Sequence, residues 1–246
     1  MPNKLLLLLL CLGASSPRAS DDLRFVTYTA APGAVKLYWK NDRGVPFKSL
    51  GSLRSWLGSR HQQLVFATNG GMYRPDGAPQ GLFIENQKLV TPLDTTSGSG
   101  NFYLKPNGVF YLTTAGQPGI CPTATFHNPG NIRYATQSGP LLVLNGQIHP
   151  AFQANSANVN IRNGVGILPD GRVVFAMSKA PVNFYDFATY FQRLGCRQAL
   201  YLDGLVSRTY LPEKGWVQTD GAFGVLVGCS VPEPHPLAPS PKKRGN

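Results

Sequence analysis

Residues 162–204, RNGVGILPDGRVVFAMSKAPVNFYDFATYFQRLGCRQALYLDG, decide the fold. They read as a strand, a tight Asp170-Gly171 turn, a second strand, a helix, and a third strand that stops on Asp203-Gly204. In the helical part Phe184, Phe187, Ala188, Phe191 and Leu194 share one face, and Gly195 suits the C-terminal cap. A hairpin and a helix on one sheet can hold a charged side chain at the sheet's lip. Arg162 enters the unit and Asp203 leaves it, and the two are expected to face one site.

Working outward, the same signals recur. LRFVTYTA (23–30) and AVKLYW (34–39) alternate as strands around a Pro-Gly turn. In residues 46–58, Phe47, Leu50, Leu53 and Leu57 fall at helical spacing, with Pro46 suited to a first turn. QLVFATNGG reads as a short buried strand ending on Asn69-Gly70-Gly71. GLFIENQKLV and NFYLKPNGVFYL read as hairpins, with turns at Glu85 to Gln87 and at Asn107-Gly108. ATQSGPLLVLNGQIH gives two strands broken at Ser138-Gly139-Pro140, and 151–160 is a polar surface loop. The expected class is α+β: mixed, largely antiparallel, twisted sheets with hairpins, packed against two main helices at about 46–58 and 183–195.

At 246 residues the chain is long enough for one full core, so a single domain over 20–230 is expected. Residues 1–19 read as a signal peptide. Lys4 precedes an apolar run from Leu5 to Leu12 that is shorter than the about 20 residues a membrane span needs. The expected product is an exported protein, periplasmic or secreted, with no stable membrane span. From Val231 to Asn246 the chain is Pro-rich and charged and reads as a disordered tail.

Removing Lys4 and Arg18 with the signal takes the formal net charge from +11 to +9. Such a surface suits an anionic partner, a sugar phosphate or polysaccharide rather than nucleic acid, since no nucleic-acid motif accompanies it. Cys121, Cys196 and Cys229 remain after the signal; an oxidising compartment permits one disulfide, with Cys196–Cys229 the favoured pair. Their spacing matches no zinc motif, no metal site is expected, and the sequence requires no cofactor while leaving calcium open.

Few carboxylates survive as candidates. Asp203 stands out because an apolar strand delivers it directly to a glycine, where sheets present side chains to ligands; the alternative is an Asp that caps a loop. Asn69 has the same form, and the Gly70 and Gly71 N–H groups can cradle an oxyanion or form an ordinary turn. Arg162 offers a bidentate phosphate contact. No HExxH, GxSxG or Walker pattern occurs, against zinc proteases, α/β-hydrolases and P-loop enzymes.

The stretches ATNGGMY (67–73), GNFYLKPNGVF (100–110), ATQSGPLLV (135–143), RNGVGILPDGRVVF (162–175) and ALYLDGLVS (199–207), in this order, resemble the phosphodiester glycosidase family. The resemblance implies hydrolysis of the bond between a sugar's anomeric carbon and a phosphodiester oxygen. A phosphate leaves readily as an anion, so a second carboxylic acid is less necessary than in other glycosidases. In this reading Arg162 clamps the phosphate with Asn69 and the Gly70-Gly71 amides, and Asp203 acts at the sugar as nucleophile, base or hydroxyl anchor. Gly204, Ser207 and Ser138 complete the substrate-binding set. Where better-known relatives carry DGGGS, this chain has Asp203-Gly204-Leu205-Val206-Ser207, which narrows backbone approach to a ligand. A non-catalytic protein that binds envelope polysaccharide is the alternative.

Overall fold

The structure, a computed structural model, describes residues 22–234. The expected signal peptide and the tail from residue 235 lie outside the described residues. The strands are β1 (Phe25–Ala30), β2 (Val35–Tyr38), β3 (Gln62–Asn69), β4 (Phe83–Glu85), β5 (Lys88–Thr91), β6 (Gly108–Thr113), β7 (Pro118–Pro122) and β8 (Ile132–Ser138). They continue with β9 (Leu141–Leu144), β10 (Gln147–Ile148), β11 (Asn163–Ile167), β12 (Val173–Ser178), β13 (Ala199–Asp203), β14 (Thr209–Leu211), β15 (Trp216–Val217) and β16 (Leu226–Pro232). The helices are α1 (Leu50–Gly58) and α2 (Phe184–Arg193).

Three antiparallel sheets share one core. Their strand orders are β1-β12-β11-β13-β9-β10, β15-β14-β3-β16-β2 and β5-β4-β8-β6-β7. Val165, Phe175 and Leu200 from the first meet Leu37, Phe66 and Val227 from the second and Phe110 and Tyr134 from the third. On the outer face of the first sheet, Phe187, Ala188 and Phe191 of α2 cover Leu142, Val143 and Ala199. On the outer face of the second, Leu50, Leu53 and Leu57 of α1 cover Leu64, Ala67 and Leu226. The fold is α+β, as the sequence predicts.

Local chemistry adjusts the expected boundaries. α1 starts at Leu50 rather than near Pro46, because Pro46 bridges to Lys40, Lys48 takes a positive φ of 61°, and Ser49 caps the helix through Ser52 N–H at 3.1 Å. In α2 the Asn183 side chain accepts the Asp186 N–H at 2.8 Å. The 83–91 hairpin turns through Asn86 and Gln87, both at positive φ.

NFYLKPNGVFYL is not a hairpin. Residues Asn101–Tyr103 form a 3-10 turn, and the buried Asn107 amide donates to the Phe102 carbonyl at 2.9 Å, folding the stretch back before β6 begins. Val231 and Pro232, assigned to the tail, instead extend β16 against Gln63 and Gln62. Nor do Cys196 and Cys229 pair: both thiols are free and buried in separate clusters, Cys196 under α2 and Cys229 in the shared core.

Candidate active site

β13 ends on Asp203, and in the antiparallel register Asn163 at the start of β11 stands opposite it. β3 of the second sheet ends on Asn69, so three strand ends from two sheets converge. Asn69 Nδ2 donates to Asp203 Oδ2 at 2.8 Å. The other half of that amide is held twice: Asn69 Oδ1 accepts from Asn163 Nδ2 at 2.9 Å and from the Arg208 N–H at 3.2 Å. Two donors on Oδ1 leave only Nδ2 to face the carboxylate, which fixes the orientation of the amide. Asn163 Nδ2 also reaches Thr68 Oγ1 and the Asn69 carbonyl, each at 2.8 Å, while its buried Oδ1 has no hydrogen-bond partner.

The second carboxylate oxygen, Asp203 Oδ1, accepts the Gly204 N–H at 2.7 Å. A turn follows, closed by Ser207 N–H on the Gly204 carbonyl at 2.7 Å, with Ser207 Oγ 3.5 Å from Asn69 Nδ2. Leu205 and Val206 form its tip, 74% and 43% exposed, and neither takes a left-handed conformation.

Burial pushes the Asp203 carboxyl up to about 6, against the pull of the Gly204 N–H and the Asn69 amide. Two tyrosines feel its charge. The Tyr73 and Tyr201 hydroxyls are raised, by burial first and by Asp203 in addition, while Arg162 opposes the rise at Tyr201.

The structure therefore gathers Asn69, Asp203, Gly204 and Ser207 into one hydrogen-bonded group. Arg162 stands apart from it. Fully buried, its guanidinium donates Nε to the Val182 carbonyl and Nη2 to the Asn158 carbonyl, each at 2.8 Å, and lies 3.5 Å over the Phe184 ring. These bonds brace the 151–160 loop, and a further hydrogen bond joins Arg162 to the Tyr201 side chain beside Asp203.

The Gly70 N–H is also committed, to the Val225 carbonyl at 2.8 Å, so it is not free to cradle an oxyanion. Glycine is required there for space: a Cβ on Gly70 would come within 2.8 Å of Val227 Cγ2, and one on Gly71 within 2.7 Å of Thr136 Oγ1. Ser138, fully buried, spends its hydroxyl on the Leu202 carbonyl at 2.9 Å and ties β8 to β13.

Sequence reading missed Asn163, Tyr73, Tyr201 and Asn101. Asn163 lies in the strand read at the start of 162–204, and the signal that could have found it is its place at the head of that apolar strand, opposite the end of the strand that carries Asp203. Asn101 hydrogen-bonds the Tyr201 hydroxyl, which fills the space a side chain on Gly204 would need.

Two clefts are lined by Tyr73 and by Asn101, which neighbour this group. Tyr73 lines a groove of about 630 Å³ with Arg74, Gln80, Thr95, Thr96 and Tyr103. Asn101, one turn from Tyr103, lines a pocket of about 320 Å³ under the 151–160 loop. Among the described residues no group of three or more His, Cys, Asp or Glu is placed to hold a metal ion, and no helix is long and apolar enough to cross a membrane.

The phosphodiester glycosidase family model matches residues 62–224, a span that contains the whole hydrogen-bonded group. The chain belongs to the phosphodiester glycosidase family. It is 40% identical over 210 residues to the uncharacterized protein YigE of Escherichia coli (strain K12), covering 84% of this chain and 82% of that one. Its fold matches the zebrafish N-acetylglucosamine-1-phosphodiester alpha-N-acetylglucosaminidase catalytic domain auto-inhibited by its pro-peptide. That match has a TM-score of 0.59 and 14% identity, over 88% of this chain and 84% of that one. A hypothetical protein from Synechocystis matches with a TM-score of 0.52 and 14% identity, over 84% of this chain and 59% of that chain. At such identities the two structures speak for the shared fold.

Proposed function

We propose that this protein hydrolyses a sugar-1-phosphodiester, with Asp203 as the base that takes a proton from the attacking water. The observation that carries the reading is the Asp203 carboxylate. Both of its oxygens accept N–H groups, as an ionised carboxylate requires, yet burial lifts it to about 6. A group poised there is suited to proton transfer near neutral pH.

In this reaction the water oxygen bonds to the anomeric carbon and the bond from that carbon to the bridging oxygen breaks, leaving this oxygen on phosphorus. The electron pair leaves with the phosphate monoester, and the water proton passes through Asp203 to solvent. No acid is needed on the leaving group. Asn69 and Asn163 hold the carboxylate in place. The groove beyond Tyr73, with the exposed Arg74 guanidinium, takes the phosphate and its substituent. The apolar run after Lys4 supports export, and with it an envelope or exopolysaccharide substrate.

The test is incubation of the purified protein with a nucleotide-linked sugar and a chromogenic sugar-1-phosphodiester. Free sugar should appear, and Asp203→Asn should lose it by about 10²-fold or more. Binding of polysaccharide without turnover would replace the hydrolase reading with that of a non-catalytic binding protein.

A further inference from the structure

The turn that follows Asp203 has two aliphatic residues at its corner. Ser207 N–H meets the Gly204 carbonyl at 2.7 Å, so Leu205 and Val206 occupy the central positions of a four-residue turn. Such positions usually take Gly, Pro, Asn, Asp or Ser, each for a conformational or hydrogen-bonding reason. Leu205 and Val206 supply neither, and they stand 74% and 43% exposed. The turn closes through backbone groups, so nothing in the fold asks for apolar side chains here.

Single exposed aliphatic residues are ordinary on a protein surface. This pair differs in two ways. Among the described residues it is the only place where two large apolar side chains adjacent in sequence are both exposed. It also lies directly beside the carboxylate, because the turn starts at Gly204, whose N–H holds Asp203 Oδ1 at 2.7 Å.

The groove on the Tyr73 side has a related character. Tyr73, Pro75, Pro79, Pro92, Leu93 and Tyr103 form much of its wall, with Gln80 and three threonines among them. Of its two charged residues, Asp94 is satisfied within its own loop. Its Oδ1 accepts the Thr96 N–H and hydroxyl, and its Oδ2 accepts the Tyr103 hydroxyl. Arg74, exposed and only loosely paired with Asp76 at 3.6 Å, is left to meet an anion. One cation beside a wall of rings and hydrocarbon suits an amphiphile with an anionic head.

We infer that the group carried on the phosphate is a hydrocarbon chain, so that the substrate is a sugar joined through phosphate to a lipid alcohol, with Leu205 and Val206 as the apolar contact beside the scissile bond. The inference rests on the hydrolase reading for the sugar; capture of an alkyl phosphate does not depend on it. Cleavage releases the free sugar and leaves the chain as its phosphate monoester. The formal net charge of +11 favours the approach of such an anion.

The experiment has a binding arm and a turnover arm, each run on the full chain and on Leu205→Ser/Val206→Ser. Both side chains are exposed, so the variant keeps the fold. The binding probes are ethyl phosphate and farnesyl phosphate, the latter below its aggregation threshold. The wild type should bind farnesyl phosphate about tenfold or more tightly, the gain expected from covering one large aliphatic side chain, and the double variant should lose most of that preference. Val45→Ser, which removes an exposed aliphatic side chain from another turn, should keep it. Equal binding of the two phosphates or an unchanged preference in the double variant would overturn the inference. An equal loss in Val45→Ser would overturn it too, as non-specific adsorption. The turnover arm compares one hexose linked to farnesyl phosphate and to ethyl phosphate. The ratio of kcat/KM should favour the farnesyl substrate and fall about tenfold in the double variant. Preference for farnesyl phosphate with no sugar released from either substrate would leave the apolar contact standing and sink the hydrolase reading. Sugar released equally well from both would do the reverse.

Discussion

Asp203 meets two opposing demands: it is buried enough to bind its proton tightly, yet given two N–H donors that favour losing it. Burial wins by enough to leave the group near 6. If its ionised form takes the proton from water, kcat/KM is flat above about pH 6 and falls tenfold per pH unit below it, because protonation removes the base. A profile that rises toward acid would assign Asp203 the opposite role. Asn163 acts through Asn69. In Asn163→Leu, Asn69 Oδ1 loses a donor, the amide is freer to turn, and Asp203 loses the N–H that stabilises its anion. Its pKa then rises, so the acid limb should move to higher pH, with kcat falling and KM little changed. A merely structural Asn163 would lower the amount of folded protein and leave the limb where it was.

Glycine decides how closely β11 approaches its neighbours. A Cβ on Gly164 would stand 2.9 Å from the Leu200 carbonyl oxygen, a backbone atom that can yield only by moving β13. Gly164→Ala should therefore cost about 1–3 kcal/mol of stability, as overpacking does. Because β13 ends on Asp203, turnover should fall along with the melting temperature; unchanged stability would mean the strands are looser than described.

These elements were largely readable in the sequence. Alternation and the Asp170-Gly171 turn give β11 and β12, and the Phe184–Phe187–Phe191 face gives α2, because local period and turn chemistry determine them. Misreadings occurred where a distant partner decides the outcome. Asn107 looks like a hairpin turn until its amide meets Phe102, and the burial of Arg162 among Val182, Asn158 and Phe184 is equally invisible in the sequence. Asn69 and Asp203 were legible because strands deliver them to glycines. That Asn163 orients the Asn69 amide was not, since the register between two sheets leaves no mark on one chain.

With twelve acidic residues against twenty-three Lys and Arg, the surface as a whole draws anions. Raising the ionic strength from about 0.1 M to about 1 M shrinks the screening length from about 10 Å to about 3 Å. KM for a sugar-1-phosphodiester should rise several-fold across that range; an unchanged KM would show that charge plays no part in capture. The hydrolase reading assigns the cut to the bond between the anomeric carbon and the phosphodiester oxygen. Hydrolysis in ¹⁸O-labelled water tests this most directly, with mass spectrometry of both products. The label should appear on the released sugar and the phosphate monoester should stay unlabelled, with Asp203→Asn abolishing the reaction. Label on the phosphate, or label on the sugar at full rate in Asp203→Asn, would contradict it.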